Sequence, residues 1–360
     1  VDAGAEGSTE IGGVVEAGSD SGEGGEIILL GNSVELFEGS LILADGESGG
    51  GTIRVGGGPG GKDPDLANAE TVTVERGSLL RADALGTGEG GSVVVFAEGS
   101  LAFHGALSVR GGAHGGNGGF AELSGRRELF VDSLVGQVDL SAASGRAGTL
   151  LLDPIDIEIL AGSGNGEVDG TMMYANDIAA FLDAIGSLEI TTSPTGQGTG
   201  QQTGNGDITM ASGAVILWTS DNDLTLLADR DFVMREGATI EAEGNGAFSA
   251  TAARSIALQT GASIRTTGGD LLLSANWQET VTSGDFIGVS IDGATVAVDG
   301  VGSLTIRGRG GDGSSGSQHG IWIEGWENSA LVQGGAVGTT VLDGIAGASA
   351  GGGGFGFLAE

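Results

Sequence analysis

Ser212-Gly213-Ala214-Val215-Ile216 returns as Glu236-Gly237-Ala238-Thr239-Ile240 and again as Thr260-Gly261-Ala262-Ser263-Ile264, each time after 24 residues. Between these anchors, Asp223-Leu224-Thr225-Leu226 matches Ala247-Phe248-Ser249-Ala250 at the same offset. Asp231-Phe232-Val233-Met234 matches Ser255-Ile256-Ala257-Leu258 likewise, while Asp270-Leu271-Leu272-Leu273 arrives one residue early. A period in the twenties built from short β segments marks a coil that stacks on copies of itself. The reading is an all-β parallel β-helix with three strands of four or five residues per coil of about 24 residues. Ile216, Ile240 and Ile264 then form an inward ladder, and Gly213, Gly237 and Gly261 a corner ladder. Trp218, Ala242 and Thr266 are read as the position where the copies vary outward.

Composition agrees with many short strands, each followed by a turn. Gly supplies 75 of 360 residues, which a helical bundle would not tolerate. Only 4 Pro are present and no Gly-X-Y period exists, so collagen is excluded. Hydrophobic residues make up 39% and fall in alternating runs, unlike a disordered chain. Lys and Arg number 14 against 48 Asp and Glu, a formal net charge of -34, which repels nucleic acid and anionic membrane surfaces. The acid is read as a solvated outer face. There is no Cys, hence no disulfide framework and no thiolate metal site. No run of 18 apolar residues is long enough for a membrane-spanning helix. No basic-then-apolar leader pattern opens the chain, and an abrupt start and end suggest a mature fragment or an excised piece.

Outward from the repeat, residues 1–360 read as one elongated solenoid of about 13 coils, roughly 60 Å long at strand spacing. Residues 25–160 are Gly-rich coils, opened by Glu26-Ile27-Ile28-Leu29 and interrupted by a Gly- and Pro-rich loop at 56–69. Glycines before strands at Gly91, Gly119 and Gly148 are taken as corners needing positive φ. Ile155, Ile157 and Ile159 alternate with Asp156 and Glu158, the inward–outward pattern of a strand. Residues 161–206 are an excursion. In it, Ile178, Phe181, Leu182 and Ile185 share one helical face, predicting a side helix over 176–185. Asn176 or Asp177 would cap its start and Gly186 its end. Residues 207–346 hold the regular coils and then loop-decorated ones, and 347–360 is a Gly-rich tail.

The stretch Gly56-Gly57-Gly58-Pro59-Gly60-Gly61-Lys62-Asp63-Pro64-Asp65-Leu66-Ala67-Asn68-Ala69 resembles the GGxxxGxxPxxxNA loop of filamentous-haemagglutinin-like exoproteins. Gly90 to Ala97, Val109 to Gly125 and Val138 to Ile159 are similar to the same family, in the same order, so the resemblance spans about residues 25 to 275. It implies a right-handed parallel β-helix of the two-partner secretion route, exported through an outer-membrane partner pore to the bacterial surface for adhesion or surface structure. The family's amino-terminal secretion head carries Asn-Pro-Asn motifs. This chain has no Asn-Pro pair, so it matches the downstream rod region.

Function is weighed between two classes. The leading expectation is a non-enzymatic adhesin rod or extracellular filament subunit, whose partners are copies of itself end to end or cell-surface glycans. The alternative is a β-helical polysaccharide lyase or hydrolase, which needs an acidic cluster. Asp153, Asp156 and Glu158 are the densest such group, with Asp221 and Asp223 weaker. His104, His114 and His319 are read as isolated turn residues beside Gly, so no metal set is expected. Gly115 to Phe120 starts like a Ca²⁺-binding nonapeptide but has Phe120 where an Asp is needed, so no cofactor is assigned. Gly86 to Gly91 imitates a phosphate loop without its Lys. Trp218, Trp277, Trp322 and Trp326 are the only tryptophans. Trp322 alternates with Ile321 and Ile323 and so points outward. With Trp326 it is the candidate binding contact for a sugar.

Overall fold

The computed structural model describes residues 1–192, 204–314, 317–325, 328–347 and 354–359. The chain winds as a parallel β-solenoid with three strand faces. The first face begins with Ser8–Ile11 and Ser33–Leu36, the second with Val14–Glu16 and Leu41–Leu43, and the third with Glu26–Leu29 and Thr52–Val55. Eleven turns of the coil are complete, and Phe357–Ala359 adds a twelfth strand position on the first face. That is fewer than the 13 read from length, because corner excursions absorb residues that a uniform coil would spend on strands.

The ladder at the repeat is observed in register. Ile216 pairs with Ile240, Ile240 with Ile264, and Ile264 with Val296. All four are fully buried. Gly213, Gly237 and Gly261 turn the corner at φ 70, 68 and 74. With open space around a Cβ built at Gly213 or Gly237, it is backbone conformation that asks for glycine there. The same corner recurs earlier at Gly39 and Gly77, both at φ 80.

Four expectations change. Trp218, Ala242 and Thr266 face inward and are fully buried. They lie two residues from the Ile ladder, and strand side chains repeat with period two. Their variation is volume exchange within the core. The glycines before third-face strands do not need positive φ. None of Gly91, Gly119 and Gly148 has a positive φ, and a Cβ on each would stand 2.1, 2.0 and 2.1 Å from the carbonyl oxygens of Gly51, Gly91 and Gly119 in the preceding coil. They are required by backbone packed on backbone.

Third, not every strand pair is parallel. Val168–Gly170 and Met172–Tyr174 form a hairpin wedged into the first face between Glu128–Val131 and Ile157–Leu160. Fourth, the helix does not lie against the side of the stack. A short helix α1 (Leu134–Gln137) precedes it, and α2 (Ala175–Ala184) occupies the second face between Val138–Asp139 and Val215–Trp218. A helix about 10 Å across fills the space of two strand spacings of about 4.8 Å. It thus takes the place of the one strand missing from the second face. Ile178, Phe181 and Leu182 plug the core there. The helix starts after Tyr174 and ends at Ile185, with no side-chain cap. Asp177 lies inside the first turn, and its carboxylate accepts the Gly164 N–H at 2.6 Å.

Candidate functional site

The corner after each first-face strand stacks side chains from successive coils. Beyond Leu36, Val74, Phe103 and Val131 come Phe37-Glu38, Glu75-Arg76, His104-Gly105 and Asp132-Ser133. From its corner Arg76 reaches Asp132 two coils away. Its Nε and Nη2 both donate to Asp132 Oδ2, at 2.9 and 2.7 Å. His104 Nδ1 lies 2.8 Å from Asp132 Oδ1. Burial pushes the Asp132 carboxyl up, but the hydrogen bonds from His104 and Arg76 outweigh it and hold the group below the ordinary aspartate range. An ionised carboxylate only accepts, so His104 Nδ1 is the donor of this pair. Behind the ring, Gln137 on α1 donates to the His104 carbonyl at 2.8 Å and accepts the Ser133 N–H at 2.9 Å. The Glu38 N–H donates to Glu75 Oε2 at 2.7 Å. Glu38, Glu75, Arg76 and His104 line a cavity of about 420 Å³.

A second departure covers the third face. The loop from Gly56 to Ala69, with a tight turn at Pro59–Gly61, lies on outward side chains of Ser92–Ala97 and Phe120–Gly125. Phe96 and Val94 are buried beneath it. A Cβ on Gly61 would meet the Phe96 ring at 2.3 Å. The Arg126 guanidinium sits 5.3 Å from the Phe96 centroid and donates to the Gly60 carbonyl at 2.9 Å. Asn68 donates to the Gly61 carbonyl and to Glu98. The Gly60 N–H donates to Glu122, 2.9 and 3.2 Å from its two oxygens, and Ser124 donates to the same carboxylate. Burial pushes the Glu122 carboxyl above the ordinary range despite these donors. The loop is a closed cover with its own small core.

The residues singled out from sequence fall elsewhere. Trp322 does point outward, paired in register with Ser290 and Leu358, and is half-buried. Its ring tilts against His319 at 5.7 Å, and His319 stacks on Phe355 at the same distance. Phe355 N–H donates to His319 Nδ1 at 3.1 Å. The contacts of Trp322 are therefore internal, and His319 is a buried packing residue, not an isolated turn residue. Trp326 lies outside the described residues. Trp277 packs under Arg309, 5.5 Å from its ring centroid. His114 Nδ1 is 3.3 Å from the Gly86 carbonyl.

Much of the acid staples coils together and is not merely a solvated face. Asp156 accepts from the Asn205 and Asp207 N–H groups, Asp223 from Ala247 N–H and Asp270 from Ser303 N–H. Arg81 donates to Asp45, and Arg110 to Asp83, linking successive coils. Among the described residues, no group of three or more His, Asp or Glu is placed to hold a metal.

Sequence reasoning missed the His104 cluster because its members come from coils of unequal length. The signal was present: Leu36-Phe37-Glu38-Gly39 and Val74-Glu75-Arg76-Gly77 repeat the corner of Met234-Arg235-Glu236-Gly237. Neither a family model nor any curated protein matches this chain.

Proposed function

We propose that this chain is a rod segment of a secreted bacterial surface protein, working by adhesion or as part of an extracellular filament. One observation carries the reading. On the third face eleven strands follow one another in unbroken parallel register, past every loop and past the α2 plug. Such a stack is held by neighbour contacts and converts sequence into length and lateral surface. Eleven coils give about 50 Å of rod at strand spacing. The resemblance of residues 25 to 275 to filamentous-haemagglutinin-like exoproteins supports export through an outer-membrane partner pore and an extracellular site of action. The partners are then copies of the chain or glycans on neighbouring or host cells.

Electron micrographs of the purified chain, with a cell-binding assay, test this. Continuous fibres with a repeat near one chain length make it a filament subunit. Separate rods that coat cells and lose attachment after glycosidase treatment make it an adhesin. Compact particles that neither polymerise nor attach sink both.

The alternative of a polysaccharide-active enzyme is favoured by one feature, the His104–Asp132 pair, which is the arrangement a general base needs. New reducing ends or unsaturated products from polysaccharides, lost in His104→Gln, would establish it.

A further inference from the structure

We infer that His319 is a proton-operated latch, which keeps the strand Phe357–Ala359 docked only while its ring is neutral. That strand forms an edge of the first face. Among the described residues it pairs only with Ile321–Glu324, at Ile321–Phe357, Trp322–Leu358 and Ile323–Ala359. At its entry the Gly320 N–H donates to the Phe355 carbonyl and the Ile321 N–H to the Gly356 carbonyl, both at 2.9 Å. Phe355 and Phe357 stay 53% and 47% exposed. With so little apolar burial, the strand belongs to the low-stability end of the fold, where each entry bond counts. One of these bonds is unlike the rest. The Phe355 N–H donates to a side chain, His319 Nδ1, at 3.1 Å.

That bond fixes the state of the ring. A backbone N–H can only donate, so Nδ1 presents its lone pair and the proton of the neutral ring sits on Nε2. A second proton has only Nδ1 to go to, where it would oppose the Phe355 N–H. The ring is 6% exposed and held in place: it stacks on Phe355, 6° from parallel, and Trp322 tilts against it, both at 5.7 Å. A charged ring keeps its attraction to Trp322 with the strand detached, whereas the opposed N–H groups are relieved only by detaching it. Residues 354–359 bring no charged side chain. The charged groups on the other elements around the ring are Asp285, Arg309, Asp312, Glu324 and Asp343, and Asp285 accepts from the Gln318 amide at 2.7 Å. The ring makes no ion pair or hydrogen bond with any of them. Release bares the backbone edge of Ile321–Glu324, which can template another strand.

The test is NMR on the full chain between about pH 8 and about pH 5, the range in which histidine ordinarily changes charge. Ring nitrogen shifts at the upper end should show His319 Nδ1 bare and Nε2 protonated. As the pH falls and Nδ1 takes its proton, the hydrogen-exchange protection factor of the Phe355 amide should drop at least about tenfold. The Leu271 amide, which donates to the Ser303 carbonyl at 2.8 Å on the third face, should keep its protection. His319→Gln supplies an acceptor that takes no proton in this range, so Phe355 protection should stay level in that variant, while His114→Gln should behave as the parent. A protonated Nδ1 at the upper end overturns the latch. So does an equal loss at Phe355 in His319→Gln, or an equal loss at Leu271, which would mean that acid loosens the whole stack. If His319→Gln fails to fold, the parent decides. Nδ1 titrating in step with the loss at Phe355 supports the latch, and Nδ1 titrating while Phe355 stays protected overturns it.

Discussion

The coils at 33–153 and those at 208–275 wind through the same three faces, yet they solve the second corner in opposite ways. The regular coils turn the first corner on a left-handed glycine, Gly213, Gly237 and Gly261, as do two of the early coils, at Gly39 and Gly77. At the second corner the early coils make long excursions, and each is pinched shut by its own backbone. Gly51 N–H donates to the Ala44 carbonyl at 2.7 Å, Gly91 to Ala82 at 2.8 Å, Gly119 to Val109 at 2.7 Å and Gly148 to Leu140 at 2.8 Å. In the regular coils the corner is short and side chains meet its polar groups. Trp218 Nε1 donates to the Asn222 carbonyl, and Thr266 Oγ1 to the Gly269 carbonyl, both at 2.8 Å. The lesson concerns how a solenoid gains surface without losing register. A neck closed by backbone lets a coil lengthen at one corner while its strands stay aligned. The requirement is glycine wherever neck meets neck.

That contrast fails if side-chain closure is dispensable in the regular coils. Trp218→Ala removes the largest fully buried side chain and the N–H that satisfies Asn222. It should cost about 3–5 kcal/mol, read by chemical denaturation. A loss below about 1 kcal/mol would mean the coil repacks freely and the corner does not depend on Trp218.

Glycine should matter for different reasons at the two corners. Gly50→Ala drives a methyl to 2.0 Å from the Ala82 carbonyl and 2.3 Å from the Gly91 nitrogen, backbone that cannot swing aside. It should cost about 3 kcal/mol. Gly213→Ala meets open space and pays only for its φ of 70. It should cost about 1–2 kcal/mol. Equal losses, measured in the same denaturation series, would erase the distinction between crowding and conformation.

These positions also mark what could be read from sequence. The first corner was legible because its glycine recurs with an apolar residue three before it and another three after it, as at Met210, Gly213 and Ile216. The core ladder was legible for the same reason. The direction of Trp218 was equally available from strand parity, and the misreading came from watching which residues vary. The reason for the neck glycines was not legible, since the clashing carbonyl belongs to a neighbouring coil. The His104 cavity was illegible at a fixed period of 24, because Glu38, Glu75, Arg76, His104 and Asp132 meet across coils whose excursions differ in length. The helix was legible as a helix, but its place in the second face was not, because it replaces a strand between two neighbouring coils.

The smallest effect sharpens the comparison on the third face. In the regular coils the outward residues Thr225 and Ser249 are half-buried. In the early coils Val94, Phe96 and Glu122 lie under the 56–69 loop. Burial raises the Glu122 carboxyl, so the folded chain holds that proton more tightly than the unfolded chain does. The contribution is then fully present in acid and declines as pH rises from the ordinary glutamate range through the raised folded value. Glu122→Gln keeps an oxygen for the Gly60 and Ser124 donors but carries no charge. Its stability should fall less with rising pH than that of the parent, and near neutral pH its Gly60 amide should exchange more slowly. Denaturation curves at several pH values, with hydrogen exchange at Gly60, read both. Parallel pH profiles for parent and variant would mean that the loop does not bury the carboxylate, and that the cover over the early coils is looser than its contacts describe.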